Sequence, residues 1–173
     1  MNQPLPPTQP PEDRTEAFAG TDGNTMLLLF CLSDEIFGLS VSCISEIIDL
    51  IPQTAVPNAD PFAPAIINVR GAIVPLLDIR RRLRIPQTAQ HPDTRVVVLE
   101  MVLAGQQMKL ALIADSVTEV IATDMSSMEM IPELGARWPR QYVRGIARHN
   151  DKLVVLLDTE NLFQAKPDLQ QTA

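Results

Sequence analysis

Aromatic, cysteine and basic residues are all scarce in this 173-residue sequence. Aromatics make up 4% and apolar residues 46%, so the core must be built mainly from Leu, Ile and Val. The two cysteines, Cys31 and Cys43, form no CxxC motif; we expect small buried hydrophobes of a reduced, cytosolic protein rather than a disulfide. The formal net charge of −7 argues against nucleic acid or an anionic membrane as the main partner.

Long apolar runs are also absent. The N-terminus has no signal-peptide pattern, and no run approaches the roughly 20 residues that span a bilayer. The sequence therefore predicts a soluble, cytoplasmic protein without direct membrane insertion. Residues 1–24 carry five prolines among polar residues and predict a disordered tail, and residues 166–173 predict a C-terminal tail.

Motifs for catalysis or cofactor binding are missing as well. His91 and His149 lie in predicted loops without ligand partners at metal-binding spacing. The sequence has no Gly-rich phosphate loop and no nucleophile elbow. We therefore expect no catalytic residue, no cofactor and no metal, although an enzyme with an unrecognised site remains the alternative.

The most informative stretch runs from Asn68 to Leu83. Arg70-Gly71 predicts a turn, because glycine permits a positive φ or a close backbone approach. Ala72–Leu77 predicts a buried strand, at an edge or bulged at Pro75, which has no N–H to donate. Asp78 is then placed to cap a short helix ending at Leu83.

The same pattern returns in the second half of the chain. Arg70-Gly71 matches Arg144-Gly145, 74 residues later (144 − 70), and Leu77-Asp78 matches Leu157-Asp158 after 80 residues (158 − 78). Upstream, Cys43–Ile48 matches Ser116–Ile121 after 73 residues (116 − 43). Because the features keep their order, the sequence predicts a duplicated β-rich unit. The polar residues 149–152 are expected to lengthen the second hairpin.

Further elements follow from local patterns. Met26–Leu32 and Ile36–Val41 predict strands, and Cys43–Leu50 predicts a short helix with an Ile stripe that faces either the core or a partner helix. In the second half, residues 95–101, 108–114 and 117–121 predict strands, with a turn at 104–106.

Three clusters each allow two interpretations. The arginines at 80–82 and 84 are expected to splay around a solvated helix face, with an acidic protein partner as the second interpretation. The methionines at 125, 128 and 130 form either a soft binding face or gap-filling side chains. Trp138 and Tyr142, flanked by arginines, form either an interface anchor or an internal cation–π support.

Taken together, these segments resemble the CheW-type chemotaxis coupling proteins. The resemblance extends from about residue 26 to 163 and is carried by Asp34–Leu39, Ile44–Ile47, Ile67–Arg80 and Tyr142–Gly145. It implies an all-β fold of two SH3-like five-stranded barrels within residues 25–165, divided into subdomains at 25–90 and 91–165. Ala65 departs from the family, which commonly has glycine there.

The resemblance also implies a non-enzymatic adaptor. Such a protein bridges the cytoplasmic tip of methyl-accepting chemoreceptors to the regulatory domain of the histidine kinase CheA. The candidate residues for receptor or kinase binding are Ile44, Glu46, Ile47, Arg70, Gly71, Thr94 and Val120.

Two further expectations follow. Because each half keeps one Glu and one Arg at similar spacing, we hypothesise the charged pairs Glu46–Arg70 and Glu119–Arg144. The alternative function is an oligonucleotide-binding β-barrel that uses the Arg80–Arg84 cluster.

Overall fold

The structure, a computed structural model, describes residues 24–132, 135 and 137–164. They form a mainly β fold with two short helices. The strands are β1 Asn24–Leu32, β2 Glu35–Ser40, β3 Ile44–Asp49, β4 Gln53–Ala55, β5 Ala65–Val69, β6 Ala72–Leu77, β7 Arg95–Leu103, β8 Gln106–Ala114, β9 Ser116–Asp124, β10 Val143–His149 and β11 Lys152–Leu157; the helices are α1 Ile79–Leu83 and α2 Thr159–Phe163.

The strands form two sheets with the same plan. The terminal sheet, built from both ends of the described chain, has the order β10-β11-β2-β1-β9. The central sheet has the order β4-β5-β6-β8-β7-β3, read from β4. Five strands therefore correspond one to one, as the duplication predicts, and the central sheet adds the short, exposed β4. An isolated bridge between Glu129 and Ile146 takes the place of β4 in the terminal sheet.

The two sheets do not coincide with the predicted subdomains 25–90 and 91–165. The central sheet takes all its strands from Ile44 to Ala114, so it crosses the expected boundary. The terminal sheet combines β1 and β2 with β9 to β11. Each repeat thus places its first hairpin, β1–β2 or β7–β8, in the sheet of the other repeat. A repeated sequence identifies the repeating unit, but it does not show whether strands of one repeat pair with each other or with strands of the other repeat. The predicted subdomain boundary between residues 90 and 91 was wrong for this reason.

Strand register corrects one part of the repeat alignment. The pair Ala65–Leu76 corresponds to Gly145–Leu156, 80 residues later, so both β-hairpins have equal length. Arg70-Gly71 lies in the β5–β6 turn, whose counterpart is Asn150-Asp151; all four residues have positive φ. Arg144-Gly145 instead opens β10. The matching of the two Arg-Gly pairs was therefore wrong, and the extra residues lie between β9 and β10.

The predicted helix over Cys43–Leu50 is also wrong. A single 3-10 turn at Val41–Cys43 leads directly into strand β3. The register of β3 against β7 skips Ser45, so a β-bulge interrupts the alternation of side chains. Because of the bulge, Ile44, Ile47 and Ile48 have the i, i+3, i+4 spacing that is typical of one face of a helix. Their β-branched side chains nevertheless favour a strand.

The described residues bury three apolar clusters, which form the core. The largest takes residues from both sheets, including Phe30, Phe37, Leu99 and Leu112, and therefore joins the two sheets. Two smaller clusters take their buried residues from one sheet each. Met125 and Met128 pack against the cluster of the terminal sheet, which favours gap filling, whereas Met130 is exposed. Leu, Ile and Val dominate all three clusters, as the composition predicts.

The segment around α1 follows the sequence with one difference. Pro75 pairs with Ile66 of β5, and the pairing of β6 with β8 begins only at Leu76. Pro75 therefore lies where β6 has a neighbouring strand on one side only, as expected for a residue without an N–H. Helix α1 forms as expected, but the Asp78 carboxylate does not cap it. That carboxylate instead accepts hydrogen bonds from Arg81 Nε at 3.2 Å and Gln87 Nε2 at 2.8 Å.

Two of the clustered arginines are not solvated, which contradicts the expectation. Arg80 is buried and ion-paired with Asp115. The Arg82 guanidinium lies 3.5 Å from the centre of the Phe62 ring and donates to the carbonyls of Leu162 and Gln164. It thereby joins α1 to the C-terminal end of α2.

The aromatic pair belongs to the interior packing. Trp138 packs edge-on against Phe37 at 6.3 Å and donates from Nε1 to Glu35 at 3.0 Å. The Tyr142 ring lies 5.8 Å from the guanidinium of Arg82, which belongs to α1. No described helix is long and apolar enough to cross a membrane.

Candidate functional site

Two edge strands carry most of the candidate residues. Strand β3 ends the central sheet and β9 ends the terminal sheet, and both have a bulge against the neighbouring strand. Ile47 stands opposite Val97, and Val120 stands opposite Leu28 in the corresponding register. Their exposed fractions are 39% and 49%. The repeat thus presents one exposed branched apolar side chain at the same position of each edge.

Glu46 and Arg70 form the predicted charged pair. Arg70 Nε donates to Glu46 Oε2 over 3.0 Å. Glu46 is on β3, and the strand order puts four inter-strand steps between β3 and β5, where the Arg70 turn begins. In a flat sheet these steps would separate the strands by about 19 Å. The contact therefore requires a curled sheet and closes its edge.

The β5–β6 turn presents Arg70 in a fixed position. Arg70 and Gly71 have φ values of 52° and 87°, and Gly71 N donates to Asn68 Oδ1 over 2.8 Å. A Cβ at Gly71 would meet nothing within 4 Å, so the turn needs glycine for its φ and not for close packing. Ala65 is buried at the start of β5 and is accommodated in a regular strand.

The remaining candidates are less accessible. Ile44 is partly buried against the core cluster that joins the sheets. Thr94 is only 3% exposed, and its hydroxyl accepts a hydrogen bond from His91 N at 2.9 Å. Thr94 therefore supports the chain before β7 and presents almost no surface to a partner.

The second predicted pair, Glu119–Arg144, is wrong. Glu119 Oε1 lies 3.0 Å from His149 Nε2 instead. Arg144 is exposed at the start of β10, whereas His149 lies at its end, beside the turn. The misaligned Arg-Gly pair led to this error. The polar run at 149–152 was recognised as a turn, but its histidine was not connected with Glu119.

An open cleft of about 210 Å³ lies beside α1, lined by residues that include Asp78, Arg80, Thr88 and Asp115. Its charged groups already have partners within the protein. Asp115 accepts from Arg80, from Thr88 Oγ1 at 2.8 Å and from Ser33 N at 2.6 Å. The charged groups of the cleft therefore stabilise the fold by connecting α1, the segment between the repeats and the β1–β2 turn. Among the described residues, no group of three or more His, Cys, Asp or Glu side chains is placed to hold a metal.

The geometry also weakens the oligonucleotide alternative. Of the arginines at positions 80–84, only Arg81 and Arg84 are exposed, and Arg81 is ion-paired with Asp78. Phosphate binding needs several free cations on one face.

The structure is thus a β module of two curled sheets that present equivalent edge strands. The chain belongs to the CheW family, because the CheW-like domain model matches residues 26–166. The solved scaffolding protein TtCheW of Thermoanaerobacter tengcongensis is 30% identical, with a TM-score of 0.72 and coverage of 82% of this chain and 88% of the other.

Curated relatives agree with this assignment. The probable chemotaxis protein CheW of Rhizobium etli is 27% identical over 82% of this chain and 88% of its own. The chemotaxis protein CheW of Treponema pallidum is 24% identical over 92% and 94%. The chain is thus a chemotaxis coupling scaffold with a CheW-like fold, and its family is one of adaptors.

Proposed function

We propose that this protein couples the cytoplasmic tip of methyl-accepting chemoreceptors to the regulatory domain of the kinase CheA, and that it does so without catalysis. It works on the cytoplasmic side of the membrane, held at receptor arrays through its partners. The observation that carries this proposal is the pair of equivalent edge positions, Ile47 and Val120, in a chain of the CheW family.

The receptor surface in this proposal consists of the β3 and β9 edges. An amphipathic helix binds through apolar residues that repeat along one face. Ile47 and Val120 offer apolar contacts, and Ile44 continues that surface towards the core. Glu46 directly precedes Ile47 on β3, so its side chain points to the other face of the strand; in this proposal its pair with Arg70 adds polar contacts along the same edge.

The kinase surface in this proposal is the end of the central sheet where β6 and β8 begin and β7 ends. Ile73, Val102 and Met108 are 63%, 65% and 39% exposed. Strands β6 and β8 are parallel and begin at this end, and β7 finishes there, so the three side chains belong to one end of the sheet. Leu153, at the position corresponding to Ile73, gives the terminal sheet a similar exposed residue.

A scaffold of this kind transmits signals only through differential affinity. If the receptor has two signalling states, the protein biases the kinase to the extent that it binds one state more tightly. We expect interfaces of modest size, because array components assemble reversibly from free parts.

Two matched substitutions test the proposal. In binding measurements with a receptor cytoplasmic fragment and a kinase regulatory domain, Ile47→Asp should weaken receptor binding at least about tenfold, since a buried unpaired charge costs more than 1.4 kcal/mol. It should leave kinase binding unchanged. Ile73→Asp should do the reverse. Loss of neither interaction, or the same loss in both variants, would contradict the assignment of the surfaces.

A further inference from the structure

The two sheets are closed by charged pairs of different chemistry. In the central sheet the pair is Glu46 with Arg70. In the terminal sheet the equivalent glutamate, Glu119, meets His149. The glutamates occupy matching positions directly after the bulges of β3 and β9. The cation comes from the hairpin tip in both sheets, although His149 stands one position earlier than the residue that corresponds to Arg70.

The Glu119–His149 contact closes its sheet in the same way. Four inter-strand steps separate β9 from β10, so a flat sheet would hold them about 19 Å apart. His149 Nε2 nevertheless lies 3.0 Å from Glu119 Oε1. The two side chains are 28% and 48% exposed, so solvent reaches the pair and protons exchange freely.

The hairpin that carries the imidazole also supplies polar and charged groups near it. Asn150 Nδ2 lies 3.1 Å from the same His149 nitrogen. Lys152 stands opposite His149 in the β10–β11 register, and Asp151 follows in the turn, so the two supply charges of opposite sign. Strand β1, which neighbours β9, places the apolar Leu29 opposite Glu119. Among the described residues, Glu119 is the charged group that lies within hydrogen-bond distance of the imidazole.

We propose that closure of the terminal sheet depends on pH, whereas closure of the central sheet does not. A guanidinium stays protonated at all physiological pH values, but an imidazole changes its charge between about pH 5 and 8. The Glu119–His149 contact is an ion pair only while His149 is protonated. Neutral imidazole keeps at most a hydrogen bond, so closure is strongest at the acidic end and weakens as the pH rises.

The two edges consequently differ in their response. Raising the pH loosens the β9 edge, which carries Val120, and leaves the β3 edge with Ile47 unchanged. The two repeats thus have the same architecture, but closure at the β9 edge changes with pH and closure at the β3 edge does not.

Hydrogen exchange of the full chain without any partner tests this proposal. Backbone amides are compared at pH 5.5 and pH 8.0 after correction for the intrinsic exchange rates. Protection in β9 and β10 should fall by about two- to fivefold relative to β3 and β5, the size expected of an exposed ion pair. Because no partner is present, the result is independent of the proposed coupling function.

Reciprocal variants locate the effect. His149→Arg should remove the pH dependence of amide protection in β9 and β10, because arginine stays protonated. Glu119→Gln should reduce the same pH dependence, because it removes the carboxylate and keeps the histidine. Arg70→His should introduce a matching dependence at β3 and β5, since histidine tolerates the positive φ of this turn. His91→Gln is the control for the other histidine, which lies 3.3 Å from Asp93, and should change nothing.

Two outcomes would overturn the proposal. One is a pH dependence of β9 and β10 that persists unchanged in His149→Arg. The other is an Arg70→His variant whose β3 and β5 amides respond to pH no more than those of the wild-type protein.

Discussion

Asp115 holds the buried guanidinium of Arg80 where the chain passes from the central sheet to the terminal sheet. The same carboxylate accepts a hydrogen bond from Ser33 N in the β1–β2 turn and one from Thr88 in the segment between the repeats. One side chain therefore connects both sheets, α1 and the linker. Only 7% of the Arg80 side chain is exposed, so this ion pair is largely removed from solvent.

We expect Asp115→Ala to lower the free energy of unfolding by about 3–5 kcal/mol, because Arg80 would remain buried without its counter-charge. Urea unfolding measures the loss. Asp49→Ala is the control, since Asp49 is 89% exposed where it pairs with Arg95 and such a pair contributes at most about 1 kcal/mol. Equal losses in the two variants would contradict the role of Asp115.

The Glu46–Arg70 pair should contribute little to stability. The side chains are 20% and 82% exposed, so Glu46→Ala should lower the free energy of unfolding by no more than about 1 kcal/mol. Receptor binding is the more informative measurement. If the pair must form for binding, the double exchange Glu46→Arg with Arg70→Glu should recover part of what either single change loses. A loss of stability above about 3 kcal/mol would instead show a desolvated pair.

Arg82 should matter more than its exposed neighbour. Arg82→Ala removes the contact with Phe62 and leaves the carbonyls of Leu162 and Gln164 without this donor. We expect a loss of about 1–3 kcal/mol in unfolding experiments. Arg81→Ala is the control and should fall below about 1 kcal/mol. Arg82→Lys should recover only part of the loss, because lysine lacks the planar fork.

Cys43 should resist alkylation in the folded protein. Burial raises the pKa of the Cys43 thiol to about 11, although a backbone hydrogen bond acts in the opposite direction. The reactive thiolate is therefore scarce at pH 8.5, where an ordinary cysteine is about half ionised. Iodoacetamide labelling followed by mass spectrometry should modify Cys43 only after unfolding. Rapid native labelling at this site would show that the thiol is accessible.

The sequence was most informative where signals were local. The turn at Arg70-Gly71, the strand through Pro75 and the helix after Asp78 each depend on residues a few positions apart, and all three form. The family resemblance rests on the same segments, and the match to residues 26–166 confirms it. The Glu46–Arg70 contact was also predicted correctly, and the family pattern supports it, whereas the repeat pointed to it only through the wrong match of Arg70 with Arg144.

The failures come from bulges and long-range pairing. The bulge at Ser45 gives the apolar residues of β3 a helix-like spacing, and the sequence therefore predicted a helix there. The exchange of hairpins between the repeats depends on parallel pairing of β2 with β11 and of β6 with β8, which no local pattern specifies. Arg80 looked solvated because its partner Asp115 lies 35 residues away in sequence. Similarly, the alternative contact of Glu119 with His149 required the correct hairpin register.

The most direct test of the coupling function is sedimentation of the kinase regulatory domain with receptor cytoplasmic fragments assembled on vesicles. We predict that the regulatory domain sediments with the receptors only when this protein is present, and that Ile47→Asp and Ile73→Asp each abolish the effect. Sedimentation of the regulatory domain to the same extent without this protein, or none in its presence, would contradict the proposed function.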